Sequence, residues 1–120
     1  MDRDTALKTL AGLRLAIGVT SWVAPNFGAK LFGLAPEANA QGPYLGRLFG
    51  VRDVALALGP LRSKRKAQQN WLEMGMLCDA ADAAAALIGG GKGYLSPSTT
   101  AMVTAPAVAA LALGAVALRG

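Results

Sequence analysis

The sequence predicts an all-α, polytopic membrane protein in which four transmembrane helices pack into one small bundle. Hydrophobic residues make up 53% of the 120-residue chain and charged residues only 16%, whereas about 25% of the residues in a typical soluble protein are charged. Long apolar stretches are separated by proline, glycine and short basic segments, and about 20 apolar residues suffice to cross a bilayer's hydrocarbon core. We therefore expect a single membrane domain over residues 1–120, with helices at 6–24, 44–61, 71–88 and 98–118.

Proline and glycine set the ends of the first two predicted helices. The first apolar stretch ends at Pro25, which is followed closely by Gly28 and Gly33, and such residues break helices. The second helix begins just after Pro43, because proline suits the first helical turn. Gly59 and the proline after it end that helix.

The last two predicted helices differ in their charge. The third ends at three consecutive glycines, 89–91, which are typical of a helix C-terminus. The fourth is the clearest membrane span, since no charged residue occurs between Gly93 and Leu118. Pro106 lies inside it and predicts a kink, which a membrane helix tolerates when neighbouring helices satisfy the freed carbonyl.

The middle helices argue for an alternative fold. The second carries Arg47, Arg52 and Asp53, and each charge at a helix centre costs about 2.5 to 3.5 kcal/mol for insertion. Such a helix inserts only if partners neutralise its charges. The alternative is a soluble, alanine-rich helical bundle with one membrane anchor.

The distribution of basic residues between the loops predicts the membrane topology. Arg3 and Lys8 lie near the N-terminus, and the segment 62–70 contains four basic residues and no acidic one. Because basic loops stay in the cytoplasm, we expect both termini and this segment on the cytoplasmic side of the plasma (inner) membrane.

Ionisable residues recur at a similar depth in three of the predicted helices. At a rise of 1.5 Å per residue from the cytoplasmic end, Arg14, Asp53 and Asp79 lie ~12 Å deep, Arg52 ~14 Å and Asp82 ~17 Å. Ionisable groups inside a membrane are expensive and face partners or a polar cavity. We call these five residues the charged layer.

Two interpretations of the charged layer remain open. It is either an internal salt-bridge network that holds three helices in register, or the lining of a polar cavity for a ligand, an ion or a proton. Two arginines face three aspartates, so one carboxylate is left over, and burial raises the pKa of such a group. Asp82 is the predicted spare carboxylate, because its depth is farthest from that of the arginines.

Small residues accompany the charged layer on the same helix faces. On the first helix the predicted inward stripe contains Arg14 and Gly18, on the second Gly50 and Asp53, and on the third Gly75 and Asp79, at helical spacing. The steps Gly42, Gly46 and Gly50, and Ala101, Ala105 and Ala109, resemble motifs that let membrane helices approach closely. Such faces also permit a homodimer.

The residue inventory excludes several functional classes. The chain has no histidine and one cysteine, Cys78, which removes Ser-His-Asp and Cys-His enzymes and an intrachain disulfide. Its basic residues do not form one solvated face, so nucleic acid is not an expected partner. We expect no catalytic residue, no metal and no cofactor.

These exclusions favour a non-enzymatic membrane protein surrounded by the lipid bilayer. It would act as an accessory subunit of a larger membrane complex or as a small lipid- or quinone-binding module. The alternative is a small proton-coupled transporter that uses Asp79 and Asp82.

Several short motifs resemble a known group. They are Arg14-Leu-Ala-Ile-Gly18, the helix end Trp22-Val-Ala-Pro25, the pair Phe32-Gly33, the segment from Gly46 to Asp53, and Asp79-Ala-Ala-Asp82. Together they resemble small bacterial four-helix membrane proteins of the DoxX-like group and its relatives of unknown function. The resemblance implies a four-helix bundle. Some DoxX-type proteins are linked to quinone-dependent sulfur oxidation or to thiol redox complexes, but no catalytic residue carries over to this chain.

Overall fold

A computed structural model describes residues 1–119, and within this range every long segment is helical. The elements are α1 (Arg3–Val23), α2 (Pro25–Leu31), a short 3-10 turn (Pro36–Ala38), α3 (Gly42–Arg62), α4 (Arg65–Lys92) and α5 (Pro97–Arg119). The four long helices overlap the four predicted helices. Two predicted ends are wrong, because α3 runs through Pro60 to Arg62 and α4 runs through the three glycines to Lys92. Helix α2 was not predicted, because Pro25 ends α1 and at the same time begins a new helix.

Local chemistry fixes several helix ends. The Asp2 side chain caps α1 by accepting a hydrogen bond from the Thr5 amide at 2.8 Å. Helix α4 ends at Gly93, whose positive φ of 86° is a conformation that glycine adopts without strain. The Ser96 hydroxyl accepts a hydrogen bond from the Thr99 amide at 3.1 Å, in the first turn of α5.

The four long helices surround a common centre. Helix α1 packs against α3 and α5, and α4 packs against the same two helices. Within the described chain no Cα atom of α1 comes within 8 Å of one in α4. Helices α1 and α4 therefore lie diagonally opposite each other, and only side chains join them.

Helices α1 and α3 cross in backbone contact. A Cβ atom added to Gly18 would lie 2.7 Å from the Gly50 carbonyl oxygen, and one added to Gly50 would lie 2.6 Å from the Gly18 oxygen. Gly46 meets Pro25 farther along the same contact, so the two helices run antiparallel. The glycine steps of α3 thus serve packing within the chain.

The apolar core is small and lies near one end of the bundle. The buried apolar residues are seven alanines and four leucines, and the largest cluster joins α1, α4 and α5. Its members are Ala6, Leu7, Leu10, Leu72, Ala110 and Ala117. At the same end Arg3 of α1 donates a hydrogen bond to Gln68 of α4.

The prediction of a four-span membrane bundle is wrong. Only one described helix, α5, is long and apolar enough to cross a membrane. Helices α1, α3 and α4 have sufficient length, but the charged residues along them lower their mean hydropathy. A single candidate span fits the alternative fold, in which one membrane helix anchors a soluble, alanine-rich bundle. The predicted side on which the termini lie stays a prediction.

Candidate functional site

The five residues of the charged layer come from α1, α3 and α4 and lie in the middle of the bundle. Arg14, Asp53 and Asp79 are buried, with 4%, 6% and 5% of their surface exposed. Arg52 and Asp82 are half-buried. The predicted inward stripes are correct, because Gly18, Gly50 and Gly75 are buried with them.

Arg14 forms an ion pair across the diagonal of the bundle. Its Nη2 atom donates to Oδ2 of Asp79 at 2.7 Å. The guanidinium lies on Gly75, one turn before Asp79, where an added Cβ would come within 2.9 Å of Nη2. A glycine at position 75 therefore gives the arginine room to reach α4.

The hydrogen bonding of Arg14 is incomplete. Its Nε and Nη1 atoms are buried and have no acceptor. A buried donor without a partner costs about 1 to 3 kcal/mol, and more when it is charged. Arg14 thus keeps an unused capacity to bind an acceptor.

Arg52 and Asp82 form the second ion pair, between α3 and α4. Nη1 and Nη2 of Arg52 donate to Oδ1 and Oδ2 of Asp82 at 3.0 and 2.7 Å, the bidentate geometry that makes such pairs specific. The guanidinium also lies 4.6 Å from the centroid of the Phe49 ring. Desolvation lowers the pKa of Arg52, but the bond to Asp82 and its charge outweigh that effect, and the pKa is raised.

Asp53 is the carboxylate left without a strong partner. Among the described residues its one ion-pair contact is with Nη2 of Arg52, at 3.5 Å, and that same nitrogen is bonded to Asp82. Burial raises the pKa of Asp53 to about 6, against the opposing charges of Arg52 and Arg14. Burial also raises the pKa of Asp79, although Arg14 opposes it.

The predicted spare carboxylate was therefore the wrong aspartate. The depth difference between Arg52 and Asp82 is only about 3 Å along the helix axis, and the long arginine side chain spans it. Asp53 follows Arg52 directly in sequence, so the two side chains leave α3 about 100° apart and pair poorly. Gly75 was predicted to share the inward stripe of Asp79, but its contact with the Arg14 guanidinium was not predicted.

In the described residues the charged layer belongs neither to a metal-ligand cluster nor to either of two surface depressions. No group of three potential metal-ligating side chains is found there. One surface depression is lined by Ala40, Gln41, Tyr44 and Leu45, and another by Ala67, Asn70, Trp71 and Met74. Both lie away from the ion pairs.

Comparisons with protein-family models, with curated proteins and with solved structures find no match to this chain. The resemblance to the DoxX-like group thus stays a hypothesis that rests on short motifs. The site itself is a set of one buried and one half-buried ion pair, an underpaired carboxyl on Asp53, and buried donors without an acceptor on Arg14 and on Nε of Arg52.

Proposed function

We propose that this protein is a non-catalytic accessory subunit of a membrane complex, anchored by α5. The charged layer acts inside it as a clamp that holds α1, α3 and α4 together. The partner subunit covers the apolar exterior of the bundle.

The observation that carries this proposal is the exposure of α5 and of large apolar side chains. Only 22% of the most apolar 18-residue stretch of α5 is buried inside the protein. A helix at the core of a soluble domain is mostly buried. Large apolar groups on the other helices are exposed too, among them Val19, Phe27, Leu48 and Leu77. Exposed apolar surface of this extent marks contact with a membrane or another protein.

The geometry favours an accessory subunit over the other two functions. A quinone or lipid site needs a concave apolar pocket that encloses the ligand, and the two surface depressions described above are open. A carrier that uses Asp79 and Asp82 needs carboxylates free to exchange ions, but both are held by arginines at 2.7 Å. Paired charges suit a structural role.

Membrane attachment through α5 can be tested by replacing Val108 with lysine. Val108 is half-exposed on α5, and a lysine near the centre of a membrane helix costs about 2.5 to 3.5 kcal/mol. We expect V108K to be extracted from membranes by alkaline carbonate while the wild type stays. The matched control is Glu37→Lys, which places a lysine on the exposed 3-10 turn and should not change the extraction.

The subunit assignment needs a second measurement. Extraction in mild detergent should release the chain in a particle that contains a second polypeptide at fixed stoichiometry, and harsher detergent should separate the two. A chain that is always recovered alone in its own micelle would contradict the proposal. Wild-type membranes that lose the chain in carbonate would contradict the anchor.

A further inference from the structure

We propose that Asp53 is a reversible proton-binding site, and that loss of its proton transfers the unused hydrogen-bond donors of Arg14 to its carboxylate. The proton leaves the Asp53 carboxyl for solvent, and the resulting carboxylate accepts an N–H bond from Arg14. The reverse step restores the carboxyl and frees the guanidinium. This inference does not depend on the accessory-subunit proposal.

The first support is the register of α1 against α3. Gly18 lies against Gly50, and a Cβ on Gly18 would also lie 3.0 Å from the amide nitrogen of Val54. Gly18 is therefore level with the turn between Gly50 and Val54, and one turn back along antiparallel α1 brings Arg14 to the level of the next turn of α3, Val54 to Leu58. Asp53 lies within about one turn of that level on the buried face, which is within the reach of an arginine side chain, and the charge of Arg14 acts on Asp53.

The second support is that Arg14 has hydrogen-bond donors without an acceptor, while Asp53 is an acceptor without a strong donor. Arg14 has two buried nitrogen atoms without an acceptor. Asp53 is buried, and its one arginine contact, at 3.5 Å, is with a guanidinium already bonded to Asp82. A buried donor and a buried acceptor of opposite charge are both stabilised by pairing. The charge-assisted pair forms only when Asp53 is ionised.

The surrounding charges set the balance between the two states. Arg52 on α3 and Arg14 on α1 favour the ionised form of Asp53, and Asp82 on α4 disfavours it. Asp79 on α4 occupies one nitrogen of Arg14, and Cys78 on α4 acts on Arg52. Burial is the largest influence and opposes ionisation, which places the pKa of Asp53 at about 6.

The test is a pH titration of the full-length protein in detergent by nuclear magnetic resonance. Carbon-13 label in the aspartate carboxyls reports protonation, and nitrogen-15 label in the arginines reports the Arg14 Nε–H group. We expect the Asp53 carboxyl signal to titrate with a midpoint near pH 6. The Arg14 Nε–H signal should shift with the same midpoint.

Two variants separate this site from a merely structural one. Asp53→Asn is a neutral substitute of the same shape as the protonated acid, so it should fold, lose the carboxyl titration and leave the Arg14 signal constant across that range. Glu37→Gln removes an exposed acid and should leave both midpoints unchanged.

Three results would overturn the inference. The first is a titration near pH 6 that persists in D53N, which would assign it to another carboxyl such as Asp79. The second is an Asp53 carboxyl that is ionised throughout the range. The third is an Arg14 signal that does not respond while Asp53 titrates.

Discussion

Arg14 joins α1 to α4 across the diagonal of the bundle. It leaves α1, crosses the bundle between α3 and α5, lies on Gly75 and bonds to Asp79 of α4. No backbone contact replaces this link, since the Cα atoms of α1 and α4 stay more than 8 Å apart in the described chain. Losing either charge of a buried pair strands the other in a medium of low dielectric constant.

A double-mutant cycle on Arg14 and Asp79 measures the strength of this link. Arg14→Ala and Asp79→Ala should each lower the free energy of unfolding by about 3 to 5 kcal/mol. The double variant should lose much less than the sum, because no charge is stranded. Denaturant unfolding in detergent checks this. Additive losses would show that the two residues are not coupled.

The exposed pair of Lys8 and Asp4 on α1 provides the control. Its charged atoms are 3.0 Å apart, but both side chains are 70% exposed. Solvent screens such a pair, and its loss costs about 0 to 1 kcal/mol. Single alanine variants at these positions should therefore unfold nearly as the wild type does.

Burial of Asp53 also predicts how stability depends on pH. Its pKa rises from 3.8 in the unfolded chain to about 6 in the folded protein, so between these values the folded state binds more protons. The contribution of Asp53 to stability should therefore be fully present below about pH 4 and be lost as the pH rises through 6. The shift corresponds to on the order of 3 kcal/mol.

The variant Asp53→Asn isolates this contribution. Its stability minus that of the wild type should increase from pH 4 to about pH 6 and then level off, because asparagine does not ionise. Thermal unfolding of both proteins over that range measures the difference. A difference that is constant with pH would show that Asp53 titrates alike in both states.

At the scale of the helices, close approach of α1 and α3 depends on the absence of side chains. A methyl group on Gly50 would lie 2.6 Å from the Gly18 oxygen and 2.9 Å from the Trp22 nitrogen. Both are backbone atoms, which cannot rotate away. The helices would have to separate, and the ion pairs beside the crossing would lengthen.

Alanine substitutions at two glycines test this packing. Gly50→Ala should destabilise the protein by about 1 to 3 kcal/mol through overpacking. Gly12→Ala should stabilise it by about 0.5 to 1 kcal/mol, because Gly12 lies inside α1 with nothing within 4 Å of an added Cβ. Equal effects at the two sites would contradict the close crossing.

The helices were predictable from sequence, but their number of membrane spans was not. Pro43 marks the start of α3 and the inward stripes followed from helical spacing, but the predicted stops at Gly59 and at glycines 89–91 are wrong, because a helix whose residues pack in the bundle continues through them. The predicted number of spans was too high because a low overall charge content and helix length were taken as signs of a membrane, whereas only α5 is apolar enough to cross one. The pairing of Arg52 with Asp82 depends on side-chain reach, which helix depth alone does not give.

At the scale of the whole molecule, many large apolar groups lie outside while the five residues of the charged layer lie inside. Twenty-one large apolar or aromatic side chains are exposed in the described chain, while the buried apolar residues are alanines and a few leucines. A surface of this kind associates in water. These exposed apolar side chains therefore need to be covered by the surface of another molecule.

Removal of detergent should therefore make the purified protein self-associate. We expect a single small species in mild detergent and larger, concentration-dependent species after detergent is removed, as measured by light scattering. The change should be reversible when detergent returns, because the charged layer keeps the bundle folded. A monodisperse monomer in plain buffer would show that the exposed apolar groups need no cover.

The diagonal ion pair also has a consequence for biosynthesis, because its two residues are synthesised at different times. Asp79 follows Arg14 by 65 residues, so a ribosome that adds about 5 to 20 residues per second finishes Asp79 roughly 3 to 13 s after Arg14. Asp82 follows Arg52 by only 30 residues, so the interval for that pair is shorter. During the longer interval α1 carries a charge whose permanent partner does not yet exist, so the nascent chain must keep Arg14 solvated or held by a temporary acceptor until α4 emerges.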